Sequence, residues 1–90
     1  MIDIRVYAGN KATFRFEDYC DCNYCDCYDF YCMDDKDVET AYSALAESIN
    51  LRNPERDCTD FQNLRDDSVK SLLEDAERQE FISDYEIEQL

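Results

Sequence analysis

The feature that most constrains the fold is a change in the period of the apolar residues along the chain. In residues 2–7 and 12–17, apolar and polar side chains alternate, as in a strand with one buried face. From residue 38 onward, apolar side chains recur at every third or fourth position, as on one face of a helix. The sequence therefore predicts an α+β fold in a single small acidic domain spanning residues 1–90.

The two N-terminal strands are predicted to form an antiparallel β-hairpin or part of a small meander. Gly9, the single glycine, lies between them with Asn10 and indicates a turn. A three-residue loop over 8–10 keeps the apolar side chains of both strands on one face, whereas a two-residue loop would mix the faces. The favoured loop gives the cross-strand pairs Val6–Ala12, Ile4–Phe14 and Ile2–Phe16. It also places Asn10 in the left-handed conformation.

Two or three helices are predicted to pack with these strands, at about 37–50, 59–80 and 83–90. Aspartates crowd the start of the first, where capping and the helix dipole favour negative charge, and Asn53–Pro54 follows its end. Ser83 and Glu86 match a capping box for the third. The predicted buried stripes are Val38, Ala41, Tyr42, Leu45, Ala46 and Ile49 in the first helix, and Val69, Leu72, Leu73 and Ala76 in the second.

The stretch DYCDCNYCDCYD, residues 18–29, reads the same in both directions on either side of Asn23–Tyr24. A turn at Asn23–Tyr24 would make residues 18–32 a second hairpin, with four cysteines and the Asp18–Asp29 pair on one face. The other face would have the pairs Asp21–Asp26 and Tyr19–Tyr28. Opposed aspartates are unfavourable in such a hairpin, and Asn-Tyr is a poor primed turn. A helical or irregular loop stays open as the alternative, although aspartate and cysteine are weak helix formers.

The six cysteines are predicted to be buried, reduced thiols that hold no cofactor. Cys22-x-x-Cys25 has the spacing of half a zinc knuckle, so a zinc site is the alternative, but the chain has no histidine. The ligands of that site would be Cys20, Cys22, Cys25 and Cys27. No signal peptide and no apolar run of membrane-spanning length is present, which predicts a cytoplasmic protein with few disulfides.

The charge is strongly negative and unevenly distributed. The chain has 23 acidic and 9 basic residues, a net charge of −14, of which residues 17–37 carry −7 and residues 57–90 carry −8. Such a field disfavours nucleic acids and anionic membranes as direct ligands and favours basic protein surfaces. Without histidine, and with one glycine, the chain lacks the usual nucleophile–base pair and a phosphate-binding loop, so we expect no enzymatic activity.

Carboxylates with few basic neighbours, together with tyrosines, are the predicted partner-binding residues. They are Asp18, Tyr19, Asp21, Asp26, Tyr28, Asp29, Glu74, Asp75 and Glu77. In size, charge, scarcity of glycine and this tyrosine–carboxylate surface, the chain resembles the anti-CRISPR and DNA-mimicking antirestriction proteins of phages and mobile elements. The resemblance implies an inhibitor that binds the basic, nucleic-acid-binding surface of a larger host-defence enzyme in the cytoplasm of a host cell. The alternative is a small cysteine-rich, zinc-stabilised protein-interaction module.

Overall fold

The computed structural model describes residues 1–14, 27–51 and 67–90. Two helices and five strands form in these ranges, which confirms the α+β class. In chain order the elements are β1 Ile2–Ala8, β2 Ala12–Phe14, β3 Cys27–Cys32, α1 Val38–Ser48, β4 Ile49–Leu51, α2 Val69–Arg78 and β5 Ile82–Gln89.

The main sheet has three antiparallel strands in the order β3-β1-β5, and β2 pairs with β4 in a separate two-stranded sheet. The strand character of the N-terminal segments is confirmed, but their predicted pairing with each other is wrong. Ile4 lies opposite Phe30 on one side and Ile87 on the other, while Phe14 lies opposite Ile49. Both edges of β1 pair with strands that are distant in sequence, so no edge is left for β2. The length of the loop between β1 and β2 does not indicate this.

The turn after β1 also differs from its prediction, because Asn10 does not have a positive φ. Of the described non-glycine residues, Glu80 alone does, at 69°. Gly9 is needed for close packing rather than for a left-handed turn. A Cβ atom at this position would lie 2.4 Å from the carbonyl oxygen of Glu80.

Both helices cover the same face of the three-stranded sheet, with α1 against β3 and α2 against β5. The core formed there contains Ile2, Ile4, Val6, Phe30, Cys32, Val38, Ala41, Leu45, Val69, Leu72, Leu73, Ala76, Phe81 and Ile82. The predicted stripe of the second helix is confirmed in full. Neither helix in the described part of the chain is long and apolar enough to cross a membrane.

Helix α1 is shorter than predicted, and the described ranges contain only part of the second predicted helix. Helix α1 ends at Ser48, before Asn53–Pro54, because the next three residues pair with β2 instead of continuing the helix. Helix α2 occupies residues 69–78 of the predicted 59–80, and residues 59–66 lie outside the described ranges.

The predicted third helix at 83–90 is wrong, since residues 82–89 form strand β5. Ser83 and Glu86 fit a capping box by spacing, but pairing with the buried strand β1 supplies backbone hydrogen bonds along the whole segment. Tyr85 and Ile87 lie opposite Val6 and Ile4, so the segment adds to the helix-covered side of the sheet. Tertiary pairing thus overrides a local helix-start signal.

The aspartates before α1 cap that helix, as their position predicted, and Asp35 also binds the start of α2, which the sequence did not predict. Asp37 Oδ2 accepts a hydrogen bond from the Met33 N–H at 3.1 Å, and hydrogen bonds from Met33 and Thr40 lower the pKa of Asp37. Asp35 Oδ1 accepts from the Lys70 N–H at 3.0 Å, at the start of α2. This part of the acidic block therefore has a structural role.

Residues 18–26 of the palindromic stretch lie outside the described ranges, whereas 27–32 form strand β3. The extended alternative holds for this part, and a helix does not. Cys27 and Cys32 are buried. Burial, together with the negative charges of Asp37 and Asp34, raises the pKa of Cys32 to about 11, so its free thiol is protonated at neutral pH.

Helix α2 ends in a left-handed cap at Glu80. The Phe81 N–H donates to the Ala76 carbonyl and the Glu80 N–H to the Glu77 carbonyl, each at 3.0 Å. A side chain in this conformation is strained, so we expect Glu80→Gly to raise the free energy of unfolding by about 1 kcal/mol. Urea denaturation would measure it. Glu80→Gln, which removes the charge but retains the strain, is the control, and an equal gain from it would contradict the explanation.

Candidate functional site

The side of the three-stranded sheet opposite the helices carries a dense group of charged and aromatic side chains. Alternation along each strand places them there, because the intervening residues face the core. We call this surface the outer face. It is formed by Asp3, Arg5 and Tyr7 of β1, Asp29 and Tyr31 of β3, and Asp84, Glu86 and Glu88 of β5.

Arg5 is the single basic residue of the outer face and lies at its centre. In the sheet register it has Asp29 on one side and Glu86 on the other. Its Nη2 lies 3.3 Å from Asp29 Oδ2, and this hydrogen-bonded neighbour raises the pKa of Arg5. The Arg5 and Asp29 side chains are 48% and 25% exposed, so the ion pair is open to solvent and contributes little stability.

Asp3 and Asp29 form a carboxyl pair beside Arg5. The Oδ1 atoms of both are buried and have no hydrogen-bond partner in the structure. A proton on Asp3, shared with Asp29 through a hydrogen bond, would supply the missing donor. The hydrogen bond that protonated Asp3 donates to Asp29, followed by partial burial, the charge of Asp29 and a contribution from Glu88, raises the pKa of Asp3 to about 6 against the opposing effect of Arg5. Pairs of this kind are more frequent at functional sites than in ordinary surfaces.

The carboxyl pair predicts an unusual dependence of stability on pH. The raised pKa of Asp3 means that the folded state binds a proton more tightly than the unfolded state, whose pKa is near 3.8. The stabilisation is complete below about pH 4 and is lost as the pH rises through about 6. Asp3→Asn keeps a neutral hydrogen-bond donor at every pH, so we expect it to raise the free energy of unfolding at pH 7.5 by about 1 kcal/mol.

Denaturation in urea between pH 4 and 8 would measure this effect, with Asp84→Asn on the same face as the control. The control should retain the wild-type loss of stability on passing through about pH 6, and Asp3→Asn should not. A wild-type stability that rises over this interval would contradict the shared proton.

A small pocket of about 60 Å³ opens beside the pair, bounded by Asp3, Arg5, Glu86 and Glu88. The Tyr7 hydroxyl donates to Glu86 Oε2 at 3.3 Å, and partial burial together with the charge of Glu86 raises the pKa of Tyr7. Three carboxyl groups and one guanidinium therefore converge on a space suited to a cationic group.

The five predicted partner-binding residues that the structure describes do not form one surface. Asp29 belongs to the outer face, whereas Tyr28, its neighbour in β3, faces the helices and is half-buried. The Tyr28 ring stacks on that of Phe30 with centroids 5.6 Å apart, and it lines an open groove of about 380 Å³ beside α1. Asp18, Tyr19, Asp21 and Asp26 lie outside the described ranges.

The other three predicted residues, Glu74, Asp75 and Glu77, lie on α2, on the opposite side of the sheet from Asp29. Glu74 and Glu77 are exposed. Asp75 forms an ion pair with Arg78. Partial burial and the charges of Glu74 and Glu77 raise the pKa of Tyr85, to which Glu74 is also hydrogen-bonded.

Sequence reasoning missed seven of the eight residues of the outer face, which are Asp3, Arg5, Tyr7, Tyr31, Asp84, Glu86 and Glu88. A signal for the last two was present, since Asp84, Glu86 and Glu88 recur at every second position, which is the period of a strand. Their location beside Asp3 follows from the pairing of β5 with β1, which joins the two ends of the described chain.

Within the described residues, no group of three or more cysteine, aspartate or glutamate side chains has an arrangement that could hold a metal ion. Cys20, Cys22 and Cys25 of the alternative zinc site lie outside those ranges, so that site stays a prediction. Elemental analysis tests it, with roughly one zinc per chain as the result that a structural site demands. No family model, curated protein or solved structure matches the chain.

Proposed function

We propose that this protein is a non-catalytic acidic inhibitor that binds a basic, nucleic-acid-binding surface of a larger protein. The observation that carries the proposal is the outer face, on which five carboxyl groups surround one arginine. Ordinary surfaces interleave the two signs of charge, and clustered carboxylates repel one another. Such an arrangement gains stability when a cationic surface covers it.

The fold gives these carboxylates regular spacing. Asp84, Glu86 and Glu88 follow one another at two-residue intervals along β5, which corresponds to about 7 Å between successive side chains. Asp3 and Asp29 lie on the adjoining strands, with neighbouring strands about 4.8 Å apart. A rigid sheet thus presents anions in rows, as a nucleic-acid backbone does, and a basic channel would attract both.

The proposed partner is a nucleic-acid-binding host-defence enzyme, and the proposed mechanism is DNA mimicry of the anti-CRISPR or antirestriction type. The chain would then be phage-encoded and act in the cytoplasm of the host cell. It would bind neither nucleic acids nor anionic membranes directly, because its net charge of −14 repels both.

An electrophoretic mobility-shift assay on a panel of CRISPR effector complexes and restriction enzymes tests the proposal. We expect the protein to abolish duplex DNA binding by at least one of them at near-stoichiometric concentration, with no shift of DNA by the protein alone. A complex with such an enzyme that leaves its DNA binding unchanged would contradict the mechanism.

The alternative, a cysteine-rich interaction module, binds through apolar contacts. A salt titration of any complex separates the two functions. A charge-driven complex weakens steeply as ionic strength rises, whereas an apolar one does not.

A further inference from the structure

We infer that the outer face, rather than the acidic face of α2, is the docking surface, and that its pocket receives an arginine or lysine side chain of the partner beside Tyr31. The inference rests on the proposed function for the class of partner. It identifies which of the two acidic surfaces binds the partner. It also identifies the group of the partner that enters the pocket and the proton that this group displaces.

The first support is the pocket. Its boundary is formed by Asp3, Arg5, Glu86 and Glu88, and Arg5 is already paired with Asp29 at 3.3 Å. Among the described residues, the register row that contains Asp3 and Glu88 has no basic side chain, whereas Glu86 lies opposite Arg5. A space of about 60 Å³ suits one cationic group rather than a folded segment.

The second support is the pair of buried Oδ1 atoms on Asp3 and Asp29, which have no hydrogen-bond partner. A guanidinium has several N–H donors in a planar arrangement and can donate to both carboxylates at once. Its entry would replace the proton that the two groups share. The charged and titratable groups around Asp3 are Asp29 and Tyr31 of β3, Arg5 of β1, and Glu86 and Glu88 of β5.

The third support is an aromatic side chain next to this polar site. Tyr31 lies directly opposite Asp3 in the register and is 55% exposed, and Met33, just beyond the strand, is 70% exposed. Exposed aromatic residues beside charged groups are typical anchors of protein interfaces, and a tyrosine ring also binds cations through its face.

The α2 face is a weaker competitor because its charges are partly neutralised. Lys70 and Arg78 lie four residues from Glu74 on either side, and Arg78 forms an ion pair with Asp75. The outer face has five acidic residues and one basic residue, whereas the corresponding numbers on α2 are three and two.

Two double variants with equal net charge test the choice of surface. Glu86→Gln/Glu88→Gln removes two carboxylates of the outer face, and Glu74→Gln/Glu77→Gln removes the two exposed carboxylates of α2. With an oligoarginine peptide as the probe, fluorescence polarisation should show a loss of affinity of roughly tenfold for the first and less than about twofold for the second. Equal losses, or a larger loss for the helix variant, would overturn the inference while leaving the proposed function intact. If the wild-type protein did not bind the peptide at all, both the inference and the proposed function would be contradicted.

Proton release gives a readout that a loss of charge alone does not produce. Isothermal titration calorimetry of the same peptide near pH 6, in buffers with different ionisation enthalpies, counts the protons displaced on binding. We expect net proton release for the wild-type protein and for Glu74→Gln/Glu77→Gln, and none for Asp3→Asn. Equal release from Asp3→Asn and the wild type would show that the peptide does not displace the shared proton, which overturns the inference.

Discussion

Replacing Phe30 by alanine should lower the free energy of unfolding by roughly 3–5 kcal/mol, one of the two largest effects that we expect. Phe30 is 6% exposed, lies opposite Ile4 in the register and stacks on Tyr28 beneath the helices. Truncation would leave a cavity in the core and remove an aromatic pair. Urea denaturation monitored by circular dichroism would measure the change.

Tyr31→Ala is the matched control, because it removes an aromatic ring from the next position of the same strand. Tyr31 faces away from the helices and is 55% exposed, so we expect a loss below about 1 kcal/mol. Similar losses from both variants would contradict the assignment of the two faces of the sheet, and with it the location of the outer face.

Gly9→Ala should lower the free energy of unfolding by about 3 kcal/mol. The added Cβ would lie 2.4 Å from the carbonyl oxygen of Glu80 and 2.9 Å from the carbonyl carbon of Ile82. Both are backbone atoms, which no rotamer change can move aside. Two hydrogen bonds fix this approach, from the Gly9 N–H to the Phe81 carbonyl at 3.2 Å and from the Lys11 N–H to the Glu80 carbonyl at 3.0 Å.

Asn10→Ala, in the same turn, is the control for Gly9→Ala. Asn10 is exposed and has no positive φ, so we expect a change of less than about 0.5 kcal/mol. If Gly9→Ala were as well tolerated as Asn10→Ala in urea denaturation, the contact between this turn and the end of α2 would be wrong.

Local patterns identified α1, α2 and the first strand, although they also predicted a third helix where the structure has β5. The stripe of α2 has a strict helical period, and its four apolar residues are all buried. The alternation in residues 2–7 likewise identified β1 and its core-facing residues, Ile2, Ile4 and Val6. The period of the apolar residues is a property of one helix or strand, so the sequence of that element alone is enough to predict it.

Pairing between distant segments could not be predicted in the same way. The loop-length argument compared β1 with its neighbour in sequence, but β1 pairs with β3 and β5. The segment of β5 contains both the spacing of a capping box, which indicates a helix, and the alternation of a strand. It forms a strand because it pairs with the free edge of β1. The outer face is assembled from three such strands, which is why Asp29 was predicted while its neighbours Asp3, Glu86 and Glu88 were not.

The central claim is that the protein occupies the site on its partner where nucleic acid binds. Competition between the two ligands tests this claim most directly. The dissociation constant of the complex with an inhibited enzyme would be measured by surface plasmon resonance at increasing concentrations of duplex DNA. The account predicts that the apparent dissociation constant rises in proportion to the DNA concentration, whereas a ternary complex containing enzyme, duplex DNA and this protein would contradict it.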